Sequence, residues 1–138
     1  MKWKNLLEEF IGDYSSITLN PPATEQQISE IEEKLHINLP ADIKDILGEF
    51  NGDNFFLLSA EQMIKINLMV RTFNFCMPLD CLLFFGENGC GDYYGYPITR
   101  EDGIRSDNVF MWNHEYDSRE WKATSLQEAI EKYYSNLI

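Results

Sequence analysis

The chain has 138 residues, of which 23 are acidic and 11 are Lys or Arg, so its formal net charge is −12. A charge of this sign repels nucleic-acid phosphates and anionic membranes and attracts basic partners, unless it serves only to keep the protein soluble. Because 44% of the residues are hydrophobic, we expect one folded domain rather than a disordered chain, with no nucleic acid or membrane among its ligands.

The cysteines and the first residues indicate a cytoplasmic protein. Cys76, Cys81 and Cys90 are odd in number and form no C-x-x-C pair, which disfavours a structural zinc or a disulfide framework and predicts buried free thiols. The start, MKWKNLLEEFIGDY, carries acidic residues where a signal peptide needs an unbroken apolar region. No apolar run approaches the ~18 residues that a membrane span requires.

The N-terminal segment, residues 1–23, is predicted to contain one helix and an extended arm. Apolar residues at helical spacing from Trp3 to Ile11 predict a short amphipathic helix that ends at Gly12. The stretch SSITLNPP contains two prolines and cannot continue that helix.

A pair of helices is predicted next. Thr24 and Gln27 match a capping box. Leu39-Pro40 ends the first helix of the pair and opens the second, and Asn51-Gly52 ends the second. Their apolar stripes consist of Ile28, Ile31 and Leu35, and of Ile43, Ile46, Leu47 and Phe50. Because the break between the two helices is so short, we expect them to pack at an angle.

The second half of the chain contains predicted strands. Residues 54–59 read as a strand, and residues 79–86 form a continuous apolar run that suggests a strand buried on both faces. Residues 92–98 and 108–113 are two further predicted strands, with a turn at residues 102–103 between them.

Two more helices are predicted from their caps. Ser59 with Gln62 starts a short helix, and Ser125 with Glu128 starts the last one. The apolar face of the last helix consists of Leu126, Ala129, Ile130, Tyr133, Tyr134 and Leu137. Helices followed by strands and a closing helix predict a single α+β domain with a largely antiparallel sheet, in which the helix pair and the last helix pack on the sheet.

The glycine-rich stretch ENGCGDYYGYPI resembles a phosphate-binding loop only superficially. Gly89, Gly91 and Gly95 form the pattern G-x-G-x-x-x-G, which has one residue more than the dinucleotide-binding pattern G-x-G-x-x-G. The segment that follows is a predicted strand, so no helix N-terminus is available to bind a phosphate. Glu87 and Asp92 would also repel a phosphate. The stretch is therefore predicted to be a tight connection between two strands.

Catalytic or metal-binding patterns are weak. Carboxylates in predicted loops and strand ends are Glu87, Asp92, Asp107, Glu115 and Asp117. Their spacing is not diagnostic, and chance clustering among 23 acidic residues explains it. His36 falls at a predicted helix end, and His114 is either an exposed contact, a structural group or a partner for Cys90. We predict no catalytic residues, no cofactor and no metal.

Tyrosines near the glycine stretch suggest a contact surface. Strand alternation places Tyr94 and Tyr96 on one face and Tyr93 on the other, so at least one of them should be exposed. Exposed tyrosine beside carboxylates is typical of surfaces that bind proteins.

The order of these motifs resembles the SUKH superfamily, also called Smi/Knr-like domains. The stretch TEQQISEIEEKLHINLPADIKDILGEFNG resembles its N-terminal signature of an acidic capped helix, Leu-Pro, a second helix and Phe-Asn-Gly. FFGENGCGDYYGY resembles the following strand and its Gly-Asp turn through Gly91 and Asp92. The later V-x-x-W strand and His-Glu pair correspond to Val109, Trp112, His114 and Glu115. The likeness covers residues 24–138.

The resemblance implies an α+β fold with helices around a curved sheet, and a role in binding rather than catalysis. Bacterial members resemble immunity proteins that neutralise polymorphic toxins, and fungal members resemble regulators of cell-wall assembly. We therefore predict an immunity protein that occludes the basic active-site cleft of a cognate toxin, a nuclease. The alternatives are an intracellular scaffold or regulator and a small metal-dependent hydrolase. The predicted contact residues are Glu87, Asp92, Tyr94, Tyr96, Asp107 and Glu115.

Overall fold

A computed structural model describes residues 1–11, 17–99, 103–136 and 138. The helices within these ranges are α1 (Lys2–Ile11), α2 (Glu25–Leu35), α3 (Ala41–Glu49), α4 (Ala60–Val70) and α5 (Leu126–Tyr134). The strands are β1 (Leu82–Glu87), β2 (Tyr93–Thr99), β3 (Gly103–Ile104), β4 (Val109–Asn113) and β5 (Ser118–Ala123). The α+β prediction is confirmed.

Capping boxes begin two of the helices as predicted. At α2, the Gln27 backbone N–H donates to Thr24 Oγ1 at 3.1 Å, and the Thr24 N–H donates to Gln27 Oε1 at 2.8 Å. At α4, Ser59 and Gln62 form the same reciprocal pair at 3.2 and 2.9 Å. Each box satisfies two backbone donors that a helix start otherwise leaves without partners.

The start of α5 departs from the predicted capping box, whereas α3 begins at Leu39-Pro40 as predicted. Ser125 Oγ accepts from the Glu128 N–H at 3.0 Å, but the Glu128 carboxylate accepts from the N–H of Thr124 instead of closing a box with Ser125. Pro40 occupies the N-cap of α3 without a side-chain hydrogen bond. Its fixed φ suits a helix start, so α3 begins directly after the break.

The five strands form one antiparallel sheet in the order β1-β2-β4-β5, with β3 pairing to β2. The predicted strands at residues 79–86, 92–98 and 108–113 correspond to β1, β2 and β4. Strand β5 was not predicted, because SREWKA is mostly polar and gives no apolar run. It pairs only with β4, and such an edge strand needs little apolar surface.

The prediction of a strand at residues 54–59 is wrong. The carboxylate Oδ1 of Asp53 accepts the backbone N–H groups of residues 55, 56 and 57 at 3.0, 2.9 and 2.8 Å. The side chain thereby takes donors that a strand would offer to a neighbour, and the chain curls around it. Only Leu57 forms an isolated bridge, to Gly86 of β1.

The two faces of the sheet pack against different parts of the chain. The inner face joins the main core between sheet and helices through Leu83, Phe85, Tyr94, Tyr96, Val109 and Met111. The outer face packs in a smaller cluster that contains Leu82, Phe84 and Trp112, with Val70 and Leu79 above them. Strand β1 contributes to both clusters, so the prediction that it is buried on both faces is confirmed.

A buried asparagine closes the outer edge of β1. Asn67 of α4 is 0% exposed. Its Nδ2 donates to the carbonyl oxygens of Phe84 at 3.0 Å and Met63 at 2.7 Å, and its Oδ1 accepts from the Phe84 N–H at 2.9 Å. The amide group thus replaces the strand that would otherwise pair with Phe84, and it fixes α4 against the sheet.

Some predictions need correction or lie outside the described residues. All three cysteines are free, but only Cys76 is half-buried, and Cys81 and Cys90 are exposed because they lie before β1 and in the β1–β2 turn. The predicted positions Gly12, Asp102 and Leu137 lie outside the described residues. In the described part of the chain, no helix has the length and apolar character to cross a bilayer.

Replacing Asn67 by Leu should destabilise the fold. Leu has a similar size but cannot bond to Phe84, so a buried N–H and C=O lose their partners, which costs about 2–4 kcal/mol. Urea unfolding measures this loss. The matched control is Asn5→Leu on the exposed side of α1, which should change the free energy of unfolding by less than about 0.5 kcal/mol. Equal effects of the two substitutions would show that the Asn67 amide is not needed.

Candidate functional site

The outer face of the sheet carries an open apolar cleft. It has a volume of about 230 Å³. The residues around it come from the segment after α4, from the β1–β2 turn and from β2 and β4. They are Phe73, Phe75, Gly91, Tyr93, Trp112 and His114. We call this the aromatic cleft.

Two rings from paired strands form the floor of the aromatic cleft. Tyr93 of β2 lies directly opposite Trp112 of β4 in the strand register. Their planes differ by 9° and their centroids are 6.3 Å apart, so the two rings are stacked nearly parallel to each other. The indole N–H of Trp112 donates to Asp117 Oδ1 at 2.7 Å, which fixes the orientation of the ring.

The wall of the cleft comes from the segment that follows α4. The Phe73 ring lies 4.8 Å from the Phe75 ring and 6.3 Å from the Trp112 ring, measured between centroids. Further along this segment, the Met77 N–H donates to Asp117 Oδ2 at 2.8 Å. Asp117 thus ties the wall and the floor together with its two oxygens. Hydrogen bonds from Met77 and Trp112 lower the pKa of this carboxyl from its ordinary value.

The rim of the cleft carries an Asp–His pair. His114 Nδ1 lies 2.7 Å from Asp92 Oδ1, and the His114 backbone N–H donates to the same oxygen at 3.0 Å. The imidazole ring lies over Gly91, where an added Cβ would come within 3.1 Å of Nδ1. Gly91 also has a φ of +95°, so the turn needs glycine for both reasons.

The pKa of Asp92 reflects two opposing effects. Partial burial raises it, whereas hydrogen bonds from the backbone and ring of His114 and from Asn88 Nδ2 lower it. The hydrogen bonds are the stronger effect together, so the pKa lies below its ordinary value of 3.8. Asn88 Oδ1 in turn accepts the N–H of Cys90 at 2.9 Å, which shapes the tight turn predicted from the glycines.

Three of the predicted contact residues meet at this end of the sheet. Glu87 pairs with Tyr93 in the β1–β2 register, Asp92 contacts His114, and Glu115 follows His114 in the chain. Asp107 lies at the opposite end of β4, where it forms a salt bridge with Arg105 at 3.0 Å. It therefore does not belong to the aromatic cleft.

The two tyrosines predicted as contacts are buried, which corrects that prediction. Tyr94 is 1% exposed and packs against Phe56 and Tyr133, and its burial raises its pKa to about 12. Tyr96 is 0% exposed and donates its hydroxyl hydrogen to Asp42 Oδ2 at 2.6 Å. The alternation was predicted correctly, but the face with Tyr94 and Tyr96 is the one that the helices cover.

Aromatic residues of the cleft were largely missed. Tyr93 was available from the same alternation, as the residue facing away from Tyr94. Phe73 and Phe75 lie in a segment without helical or strand periodicity, so no pattern assigns them to a surface. Trp112 lies in a predicted strand and is buried, at 1% exposed, beneath the lining of the cleft.

The cleft is suited to stacking and hydrogen bonding. Its lining is mostly aromatic, with the exposed Phe75 ring among it, and Glu87 lies opposite Tyr93 in the strand register as a hydrogen-bond acceptor. Among the described residues, no group of three or more His, Cys, Asp or Glu side chains is arranged to hold a metal ion.

One comparison with known proteins gives a match. The family model described as SMI1-KNR4 cell-wall (SUKH_6) matches residues 25–129, which run from the start of α2 into α5. No curated protein matches the chain significantly.

Asp92→Asn should lower stability in a pH-dependent way. A carboxyl whose folded-state pKa is lowered stabilises the fold above its ordinary value of 3.8, and this contribution is lost as the pH falls through the lowered pKa. We expect the variant to be about 1–2 kcal/mol less stable than wild type at pH 7, and the difference to shrink between about pH 4 and pH 2. Urea unfolding across this range measures it.

A control for this experiment is Asp80→Asn, which changes an exposed carboxylate just before β1. It should alter the free energy of unfolding at pH 7 by less than about 0.5 kcal/mol. A gap between wild type and Asp92→Asn that stays constant down to pH 2 would contradict the assigned role of the Asp92 charge.

Proposed function

The chain belongs to the SMI1-KNR4 cell-wall family, and from this premise we propose that it is a non-enzymatic immunity protein that binds and neutralises a cognate polymorphic toxin. The family is generally associated with toxin immunity and is not typically catalytic. In this proposal the toxin is a nuclease, and the protein occludes its basic active-site cleft. The contact is made by the aromatic cleft and its acidic rim.

Exposure of apolar side chains around the cleft is the observation that carries the proposal. Phe75 is 67% exposed and Tyr116 is 78% exposed. Met77 is exposed as well, and its backbone N–H donates to Asp117, which follows Tyr116 in the chain. Large apolar side chains that lie together on a surface mark interaction sites, and aromatic residues are the most frequent anchors of protein interfaces.

Charge supports a basic partner. The net charge is −12. Asp92 contacts His114 on the rim of the cleft, Glu87 lies opposite Tyr93 in the strand register, and Glu115 follows His114 in the chain. Asp117 lies beneath the cleft and is balanced by Arg119 at 3.5 Å. A nuclease holds phosphates in a basic cleft, so an acidic surface matches its potential and speeds the encounter by ~10- to 10³-fold at low salt.

The proposed contact residues are thus revised in part. Glu87, Asp92 and Glu115 remain in the set, and Phe75 and Tyr116 take the place of the buried Tyr94 and Tyr96. Asp107 stays a separate proposal, because it lies at the other end of the sheet. Rings supply the desolvated anchors that slow dissociation, and the carboxylates chiefly set the rate of association.

If the gene of this protein has a neighbouring toxin gene, co-expression with that toxin tests the proposal. Wild-type protein should restore growth of cells that express the toxin. Phe75→Ser should lose most of this protection and bind the purified toxin at least about tenfold more weakly, because it removes an exposed anchor ring. The fold should be unaffected, since the side chain is 67% exposed.

Leu68→Ser is the matched control. Leu68 is an exposed apolar residue of α4 (41% exposed) that does not line the cleft. It should protect cells as well as wild type does. If wild-type protein fails to protect, the immunity function is wrong. If Leu68→Ser fails and Phe75→Ser protects, the function stands but its surface lies elsewhere.

A further inference from the structure

We propose that His114 is a hydrogen-bond acceptor at the rim of the aromatic cleft, where its Nε2 atom binds an N–H donor of the partner protein. Asp92 and Asn88 act as positioning residues that fix the imidazole ring for this contact. The inference deepens the proposed function and rests on it for the identity of the partner as a basic protein. The state of the ring itself can be measured on the free protein.

The β1–β2 turn holds the imidazole ring from two sides. Asp92 Oδ1 lies 2.7 Å from His114 Nδ1 and also accepts the backbone N–H of His114 at 3.0 Å. The ring lies over Gly91, where an added Cβ would come within 3.1 Å of Nδ1. The backbone and the side chain of His114 are thus tied to one oxygen, and a larger residue at position 91 would displace the ring.

A second layer of hydrogen bonds fixes the carboxylate that holds the ring. Asn88 Nδ2 donates to Asp92 Oδ2 at 2.9 Å, and Asn88 Oδ1 accepts the Cys90 N–H at 2.9 Å. Each oxygen of Asp92 therefore has a donor, so the carboxylate cannot turn away from the imidazole without losing a bond. A side chain that is fixed before binding loses less entropy when it contacts a partner.

The carboxylate also determines which ring nitrogen carries the proton. The lowered pKa of Asp92 leaves it ionised at neutral pH, and an ionised carboxylate can only accept hydrogen bonds. Nδ1 must therefore be the donor across the distance of 2.7 Å. In the neutral ring the proton is then on Nδ1, and Nε2 has a free lone pair that can bind only a donor.

Nε2 is the polar atom of the ring that is left for a partner. The His114 side chain is 39% exposed and lines the cleft. Nδ1 faces Asp92, and within the described residues no group forms a hydrogen bond with Nε2. The net charge of −12 attracts basic proteins, whose lysine and arginine side chains carry only N–H donors. The ring and its likely approaching partner groups are thus complementary.

Long-range ¹H–¹⁵N NMR of the free wild-type protein tests the state of the ring, because ¹⁵N shifts distinguish protonated from unprotonated ring nitrogens. At pH 8 we expect the proton of His114 on Nδ1 and none on Nε2. A proton on Nε2, or equal populations of the two tautomers, would overturn the inference and leave the proposed function intact.

Two substitutions separate the bond to the partner from the bond to Asp92. His114→Asn keeps a donor near the position of Nδ1 but has no atom at that of Nε2, whereas His114→Gln places an acceptor there. Binding is measured with a toxin against which wild-type protein protects cells. At pH 8, His114→Asn should bind about tenfold more weakly than wild type, and His114→Gln should lie within about threefold of wild type.

His36→Asn is the matched control. His36 is the other histidine of the chain and is exposed at the end of α2, with a φ of 55°. Asparagine tolerates this left-handed conformation, so the variant should fold normally and bind the toxin as wild type does.

The pH dependence of binding gives a result that a merely structural role of His114 would not produce. Protonation of the imidazole removes the acceptor and adds a positive charge that faces a basic partner. The tenfold advantage of wild type over His114→Asn should therefore disappear between pH 8 and pH 5. The titratable residues of the surrounding turn, strand and wall are the same in both proteins, namely Asp92, Cys90, Tyr93, Cys76, Glu115 and Asp117.

Three results with the toxin would overturn the inference while protection by the wild-type protein upholds the proposed function. They are equal affinities of wild type and His114→Asn at pH 8, an equal loss in His36→Asn, and an advantage of wild type that persists unchanged at pH 5. Failure of the wild-type protein to protect cells is instead a failure of the proposed function, and the contact inferred for His114 falls with it.

Discussion

The fold depends on how the free edge of β1 is closed. No further strand of the described chain pairs with this edge. Its backbone groups bond instead to the Asn67 amide and to residues 56–58. In the second contact, the Leu58 N–H donates to Phe85 O and the Glu87 N–H donates to Phe56 O, both at 2.9 Å. The segment 56–58 is itself held by the carboxylate of Asp53. The buried side chains of Asn67 and Asp53 thus make or support the hydrogen bonds that a sixth strand would make. Because this sheet edge is covered, it cannot pair with a strand of another molecule.

Closure of this edge also determines the surface that remains open. Because Asn67 fixes α4 beside β1, the chain after Val70 runs over the outer face and covers Leu82 and Phe84. The cover ends at Phe73 and Phe75, and the aromatic cleft begins there. The inner face, by contrast, packs against the helices, so its side chains are not accessible to a partner protein. The asymmetry between the two faces explains why Tyr93, and not its neighbours in β2, belongs to the surface.

Much of the fold could be predicted from local signals. Helix starts were readable because capping boxes place specific side chains on specific backbone donors, and β1 was readable because burial on both faces produces a continuous apolar run. The wrong strand prediction at residues 54–59 has a physical cause. The segment is apolar, as a strand would be, but its backbone N–H groups donate to the Asp53 carboxylate rather than to a neighbouring strand. Residue propensities for strands do not include such a side-chain acceptor. For the candidate site, the carboxylates of Glu87, Asp92 and Glu115 were predicted from their positions in loops and at strand ends. Which face of β2 the helices cover depends on tertiary packing, and the pattern of alternation leaves that undetermined.

The proposed function requires this protein to present the aromatic cleft to a basic protein. Hydrogen exchange of the backbone amides, measured with and without a toxin that the protein neutralises in cells, tests that claim most directly. The account predicts slower exchange on binding at residues 73–77, 90–93 and 112–116, with little change in α2 and α3. Protection confined to the helices, with the three segments unaffected, would contradict it.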